Sequence, residues 1–314
     1  MRILSSLAVL VMILFSVAQA DASWSVEADF AAWAKSRPAP CALDFDSKYL
    51  RSDREVQGVA LVLHGYSSNP GQMSEVMRIL LESGYNVMAP RFKGHFNVNL
   101  RDLDSARGLD WLNDAEQAFA LARREKLPIT LVGYSLGGLL ASWLALRYPA
   151  EVEKLILLAP ALRITPRASI ASVLANLFGW NLNDLNGTRV ACDLNHAYIP
   201  ASGGREIEHL LIKMERWLGG TYPFPHGSAF KKINVPTLMF TGSQDEAVGL
   251  LNLDYLCVQN PLCSQIVIEG ANHHGVLKTL SEVRNQLLRD WLIWFVRSDG
   301  RYLRTREQFR FQTS

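Results

Sequence analysis

Apolar residues along this chain alternate between two habits. Short, β-branched runs with no polar interruption read as strands covered on both faces. Longer stretches with apolar positions every three or four residues read as amphipathic helices. Val56 to Leu63 is the first strand, followed by a helix over Met73 to Ser83 that Gly84 closes, and a strand from Tyr85 to Ala89. Leu109 to Lys126 is helical, with Trp111, Leu112, Ala115, Ala118, Phe119 and Ala122 on one face. Ile129 to Val132 is a strand, then come helical spacing through Leu139, Leu140, Trp143, Leu144 and Leu146 and a strand from Lys154 to Ala159. After a break the rhythm resumes: strand Pro236 to Thr241, helix Ala247 to Val258, strand Gln265 to Glu269 and helix Leu277 to Arg297. This alternation predicts an α/β fold: a mostly parallel twisted sheet with right-handed crossovers and helices on both faces.

The break from about Arg163 to Lys232 carries no strand pattern. Ile170, Val173, Leu174, Leu177 and Phe178 fall at helical spacing, as do Ile207, Leu210, Leu211, Met214 and Trp217 within Arg205 to Leu218. Gly203-Gly204, Gly219-Gly220, Pro223 and Pro225 read as connectors, so residues 163–232 are expected to be a helical cap inserted between core segments 56–162 and 233–300. Residues 21–55 form an N-terminal segment, with a short helix around Phe30 to Ala34 and an edge strand within Leu43 to Leu50. The basic end, 301–314, reads as a solvated tail.

The sharpest local signal is Gly133-Tyr134-Ser135-Leu136-Gly137-Gly138, between a strand and a helix. A turn this tight strains its central residue and lifts the serine hydroxyl clear of both elements. Glycine is required two residues to either side, where a side chain would strike the neighbouring strand and helix. The following helix points its N-terminal N–H groups and positive dipole end back at the serine, which favours a negative oxygen there.

A serine hydroxyl is a weak nucleophile at neutral pH and needs a base, and the base an orienting group. Chemistry in an open parallel sheet collects at the carboxyl ends of the strands. Asp245 lies just beyond strand 236–241, with Glu246 as its weaker rival. His273 and His274 lie just beyond strand 265–269. Ser135 would attack a carbonyl carbon, His273 take its proton, and Asp245 hold the imidazole, with His274 as the alternative base. His64 reads as structural, and His95, His196, His209 and His226 as ordinary polar positions.

With those residues in place, the chain resembles the α/β-hydrolase superfamily, more narrowly its carboxylesterases and monoacylglycerol-lipase-like members. The resemblance is carried by Leu63-His64-Gly65-Tyr66, Ala89 to His95, Gly133 to Gly138, Gly242-x-x-Asp245-x-x-Val248 and Glu269-Gly270-Ala271-Asn272-His273, in Ser, Asp, His order, over roughly Val56 to Arg297. It implies an α/β-hydrolase fold with a helical cap. It also implies an oxyanion hole of two main-chain donors: Leu136, directly after the nucleophile, and Tyr66, after His64-Gly65. The activity implied is ester hydrolysis on a small-molecule acyl substrate, with no cofactor. Thioester or amide cleavage by the same triad is the alternative, and a catalytically idle scaffold used for binding is the third reading.

Composition narrows the setting. The 314 residues are 49% hydrophobic, enough for a large core, and 32 basic residues nearly balance 30 acidic ones. A nucleic-acid binder needs a concentrated basic face, which this balance disfavours. Arg2, the apolar run Ile3 to Val17 and Ala18-Gln19-Ala20 read as a signal peptide cut after Ala20, so the expectation is a periplasmic or secreted protein with no membrane span after cleavage. Export permits disulfides. Local spacing favours Cys257–Cys263, leaving Cys41 with Cys192, and no spacing suggests a zinc site.

Overall fold

In the computed structural model, eight strands make one sheet: β1 (Lys48–Leu50), β2 (Gly58–Leu63), β3 (Tyr85–Ala89), β4 (Ile129–Tyr134), β5 (Val152–Leu158), β6 (Thr237–Gly242), β7 (Cys263–Glu269) and β8 (Gln308–Gln312), in spatial order β1-β3-β2-β4-β5-β6-β7-β8. The structure describes residues 26–97, 99, 102–165, 201–219, 228–248, 256–257, 260–277, 286–298 and 308–312. Only β1 runs antiparallel, against β3. Strands β2, β3, β4 and β6 are buried at every position, as expected of a sheet with both faces covered.

The described helices are α1 (residues 26–35), α2 (Ser74–Glu82), α3 (Asp102–Ser105), α4 (Gly108–Arg123), α5 (Leu136–Arg147), α6 (Ala201–Trp217) and α7 (Gln286–Arg297). Helices α4 and α5 pack on each other and on β2, with α6 against α4, whereas α2 packs on β3 and on α7. Registers such as Leu63 beside Gly133, Tyr134 beside Leu158 and Gly242 beside Ile268 bring the carboxyl ends of β2, β4, β5, β6 and β7 to one rim. No described helix is long and apolar enough to cross a membrane.

Several expectations change in detail. The edge strand within Leu43 to Leu50 divides into a 3-10 turn, Leu43–Phe45, and β1. The tail is not simply a solvated end, because Gln308–Gln312 pairs parallel with β7 from Gln265 to Glu269. Without it β7 would present a bare row of N–H and C=O groups. A strand added through main-chain bonds needs no apolar run to satisfy them. The cap helix expected at Arg205 to Leu218 begins at Ala201 and runs through Gly203-Gly204 instead of breaking there. A Cβ on Gly203 would lie 1.9 Å from Tyr66 Cζ, so at this point the helix touches the Tyr66 ring with bare backbone. Ile207, Leu210, Leu211 and Met214 are buried, while Trp217 is half exposed and meets the Trp143 ring at 5.6 Å. The other expected cap helix, Ile170 to Phe178, lies outside the described residues, as do Cys192, His196, His226, the first twenty-five residues and most of Ala247 to Val258.

Cys257 and Cys263 are bonded, with Cα atoms 4.9 Å apart, where the chain enters β7. Cys41 is also disulfide-bonded, and its partner lies outside the described residues.

The N-terminal segment clamps the loop after β3. Arg37 forms a two-pronged pair with the buried Asp114 of α4, and Asp114 Oδ2 also accepts the Lys93 N–H at 2.7 Å. Burial pushes the Asp114 carboxyl up, and the Arg37 guanidinium pulls the other way. Arg91, 2% exposed, reaches four acceptors: Asp46 Oδ1 at 3.2 Å, His95 O at 2.9 Å, Pro38 O at 2.6 Å and the Asn97 side-chain oxygen. Cys41 N–H donates to Phe96 O at 2.8 Å, and Pro40 bridges Asn97. A planar guanidinium can serve that many acceptors at once, and an ammonium cannot. Arg91→Met is therefore expected to cost about 3 kcal/mol or more, because it strands buried acceptors, and Arg91→Lys should recover only part of it. Thermal denaturation of the two variants beside the wild type checks this.

Candidate active site

Strand β4 ends at Tyr134, and α5 begins one residue after Ser135. Ser135 has φ +51° and ψ −113°, outside the regions ordinary residues favour. Three backbone hydrogen bonds hold it there: its N–H donates to Leu158 O at 2.9 Å, and its carbonyl accepts from Leu139 N at 3.1 Å and Ala161 N at 2.9 Å. The crowding falls on the glycines. A Cβ on Gly133 would sit 2.3 Å from Gly137 O, and one on Gly137 would sit 2.0 Å from Leu63 O. Both obstacles are main chain and cannot swing aside.

The loops after β6 and β7 are stitched together by two main-chain bonds and one serine hydroxyl. Ser243 N–H donates to Ile268 O at 3.0 Å, Gln244 N–H to Ala271 O at 3.0 Å, and Gly270 N–H to Ser243 Oγ at 2.8 Å. Asp245 projects from this seam with its side chain 1% exposed. Its Oδ1 accepts the N–H groups of Ala247 at 2.9 Å and Val248 at 3.0 Å, leaving Oδ2 for His273 Nδ1 at 2.7 Å. Burial alone would raise this carboxyl. The His273 hydrogen bond and charge, with the two backbone donors, outweigh burial, and Asp245 lies below its ordinary value. It is therefore a carboxylate at neutral pH, and a carboxylate only accepts, so His273 Nδ1 carries the proton. His273 Nε2 then faces Ser135 Oγ at 2.9 Å with a free lone pair.

The structure thus brings Ser135, Asp245 and His273 together. The two remaining candidates lie elsewhere. His274 Nδ1 is 3.1 Å from the Tyr134 hydroxyl, and Glu246 is exposed, its backbone oxygen accepting from Thr165 Oγ1. His274 lies below its ordinary value, mainly through burial and also through the charge of His273, with Asp245 opposing.

Beside the serine runs His64-Gly65-Tyr66. A Cβ on Gly65 would be 3.2 Å from Ser135 Cβ and 2.8 Å from Tyr134 Cδ1, so this loop touches the Ser135 turn. His64 is fully buried, and burial first, then His95, drives it far below the ordinary imidazole value. The neutral ring accepts the Phe92 N–H on Nε2 at 3.0 Å and so donates Nδ1–H to Gly65 O at 2.8 Å. It is a strut between the loop after β3 and the loop beside Ser135, in keeping with the structural role expected of it. Leu136, the first residue of α5, is buried, and its N–H belongs to the helix's unpaired first turn.

His95 departs from the expectation of an ordinary polar position. It is fully buried, pushed down to about 4 mainly by desolvation, and lies 5.0 Å from the His64 ring and 5.5 Å from the Tyr66 ring. His209 is exposed on α6. Sequence reasoning also passed over Tyr134, the unspecified position of the Gly-x-Ser-x-Gly turn. A phenol there, in a buried strand, was the available signal.

The serine aminopeptidase S33 family profile matches residues 54–198. A thermostable monoacylglycerol lipase from Bacillus sp. (strain H-257) is 29% identical over 89 residues, 28% of this chain and 35% of that enzyme. The match therefore spans about a third of that relative. The monoglyceride lipase of Rattus norvegicus is 22% identical over 280 residues, covering 79% of this chain and 85% of its own. Among solved structures, a soluble variant of the Saccharomyces cerevisiae monoglyceride lipase in complex with a substrate analog superposes with a TM-score of 0.60 at 15% identity, covering 79% of this chain and 90% of that one. At that identity the likeness is one of fold.

Two outcomes follow from the geometry. Because the Asp245 carboxyl is held below its unfolded value, its stabilisation is present above an unfolded pKa of about 3.9 and fades as pH falls through the folded value. The stability gap between wild type and Asp245→Asn should thus be wide at pH 7 and shrink progressively as pH falls below about 3.9, read from urea denaturation across that range. Gly137→Ala drives a Cβ into Leu63 O and should cost about 3 kcal/mol or prevent folding, as thermal unfolding and soluble yield will report.

Proposed function

We propose that this α/β-hydrolase, similar in sequence and fold to the monoacylglycerol lipases, hydrolyses carboxylic esters through an acyl-enzyme formed on Ser135. The observation carrying the proposal is the continuous relay from Asp245 Oδ2 to His273 Nδ1 at 2.7 Å and from His273 Nε2 to Ser135 Oγ at 2.9 Å. In the first half, Ser135 Oγ attacks the acyl carbon while His273 Nε2 takes its proton. The tetrahedral oxyanion is received by the main-chain N–H groups of Leu136 and Tyr66, and losing one such donor costs roughly 3 kcal/mol of barrier lowering. Collapse breaks the bond to the alcohol, which leaves with the proton held on His273. Water then repeats the sequence on the acyl-enzyme, giving up a proton to His273 and releasing the acid and the free serine. Asp245 orients the imidazole throughout and stabilises its charged form.

The substrate class proposed is small or medium acyl esters, monoacylglycerols among them. Its support is the monoacylglycerol lipase likeness and an amphipathic cap helix, α6, that touches Tyr66. The description of the matching family favours a second reading, in which the same relay cleaves an amino-terminal peptide bond. We further propose export. This rests on the apolar leader ending in Ala18-Gln19-Ala20 and on the Cys257–Cys263 bond, which belongs to an oxidising compartment.

Purified protein should hydrolyse p-nitrophenyl esters and monoacylglycerols faster than aminoacyl-p-nitroanilides. Ser135→Ala should abolish both that activity and labelling by a fluorophosphonate while its melting temperature stays near the wild-type value. His273→Ala should lower kcat by about 10³-fold or more. Ester turnover that survives Ser135→Ala removes the proposal, and a preference for the anilides selects the peptidase reading.

A further inference from the structure

Tyr134 and His274 take no part in the proton relay, yet both are packed beside it, and we infer that they are a positioning pair that sets the distance between nucleophile and base. The inference rests on the reading of Ser135, His273 and Asp245 as a hydrolytic triad.

Tyr134 is the last residue of β4, directly before the nucleophile, and is 1% exposed. Its ring is held from two sides. On one, the bare backbone of Gly65 leaves no room, since a Cβ there would lie 2.8 Å from ring Cδ1. On the other lies the His273 ring, with centroids 5.3 Å apart and planes at 31°. The hydroxyl lies 3.1 Å from His274 Nδ1 and 3.4 Å from the His273 carbonyl oxygen.

A phenol has one proton to give and lone pairs to accept with. When His274 Nδ1 is bare, the phenol donates to it. When His274 carries its proton on Nδ1, the imidazole donates to the phenol oxygen and the phenol to the His273 carbonyl. Both arrangements tie the base loop to the strand that carries Ser135. The Ser243–Ile268 and Gln244–Ala271 bonds serve a different purpose, joining the base loop to the acid loop. The two sets of ties fix the base against both of its partners.

Packing alone does not account for the tyrosine. Phenylalanine would fill the same space at 134, and a buried hydroxyl loses hydration that an apolar side chain never had. The phenol is also a stiff spacer with few torsions, rooted one residue from the reacting oxygen. Catalysis needs such stiffness, since a displacement on the order of 1 Å between reacting groups costs up to about a hundredfold in rate.

The test is steady-state hydrolysis of p-nitrophenyl butyrate by wild type, Tyr134→Phe, His274→Ala, His274→Asn and the double variant Tyr134→Phe/His274→Ala, with the melting temperature of each. Tyr134→Phe and His274→Ala should each lower kcat about tenfold with KM within about twofold. His274→Asn, whose amide stands where Nδ1 stood, should recover most of the loss. The double variant should be no slower than either single one, because one link is cut in each case. A Tyr134→Phe enzyme with kcat within about twofold of wild type overturns the inference, and so do additive losses in the double variant. A wild type that neither hydrolyses the ester nor takes up a fluorophosphonate overturns the triad reading and the inference with it. An active wild type indifferent to Tyr134→Phe overturns the inference alone.

Discussion

The arrangement depends on one steric fact: at Gly137 the main chain of α5 passes so close to the end of β2 that a single methyl group would sit 2.0 Å from Leu63 O. That approach is what allows a strand to become a helix in one step, with Ser135 held at φ +51° between them. The strained residue is anchored on both sides, by Leu158 through its N–H and by Leu139 and Ala161 through its carbonyl. Strain of this kind persists only where its surroundings over-determine it. The same closeness sets the helix N-terminus and the Gly65 loop against Ser135, so the serine hydroxyl and the dipole end beside it come from one packing event.

Around that point the molecule places its polar groups with few free choices. Asp245 spends one carboxylate oxygen on two backbone donors and is left with one oxygen for His273, which settles the imidazole tautomer. His64 does similar work from the opposite side, kept neutral by burial so that it accepts from Phe92 and donates to Gly65. Behind His64 stands Arg91, and behind Arg91 the N-terminal segment through Pro38 and Asp46. A segment far from Ser135 in sequence is thus linked through Arg91, Phe92 and His64 to the loop beside that serine.

Much of this was legible in the residues. The apolar runs within 56–63 and 129–132 marked strands covered on both faces, and the glycines at 133 and 137 marked the turn. Asp245 and His273 were singled out because chemistry gathers where parallel strands end, and the structure brings both to Ser135. What escaped depended on long-range pairing that no local pattern encodes. Arg91 looks like a surface arginine until Pro38, Asp46, His95 and Asn97 are seen to surround it. Gln308–Gln312 looks like a polar tail, because its place in the sheet is a main-chain pairing with β7 that no local pattern announces. Gly203-Gly204 looks like a helix break, because the reason for a glycine there is an aromatic ring well over a hundred residues away.

That last contact makes positions 66 and 203 a single unit of inheritance. With the helix where it is, any side chain at 203 would force the Tyr66 ring to shift, and a smaller residue at 66 would leave a hollow under a glycine. Substitution at either place alone is penalised, so natural variation should cross this spot in paired steps, leaving a correlated trace between the cap and the loop beneath it.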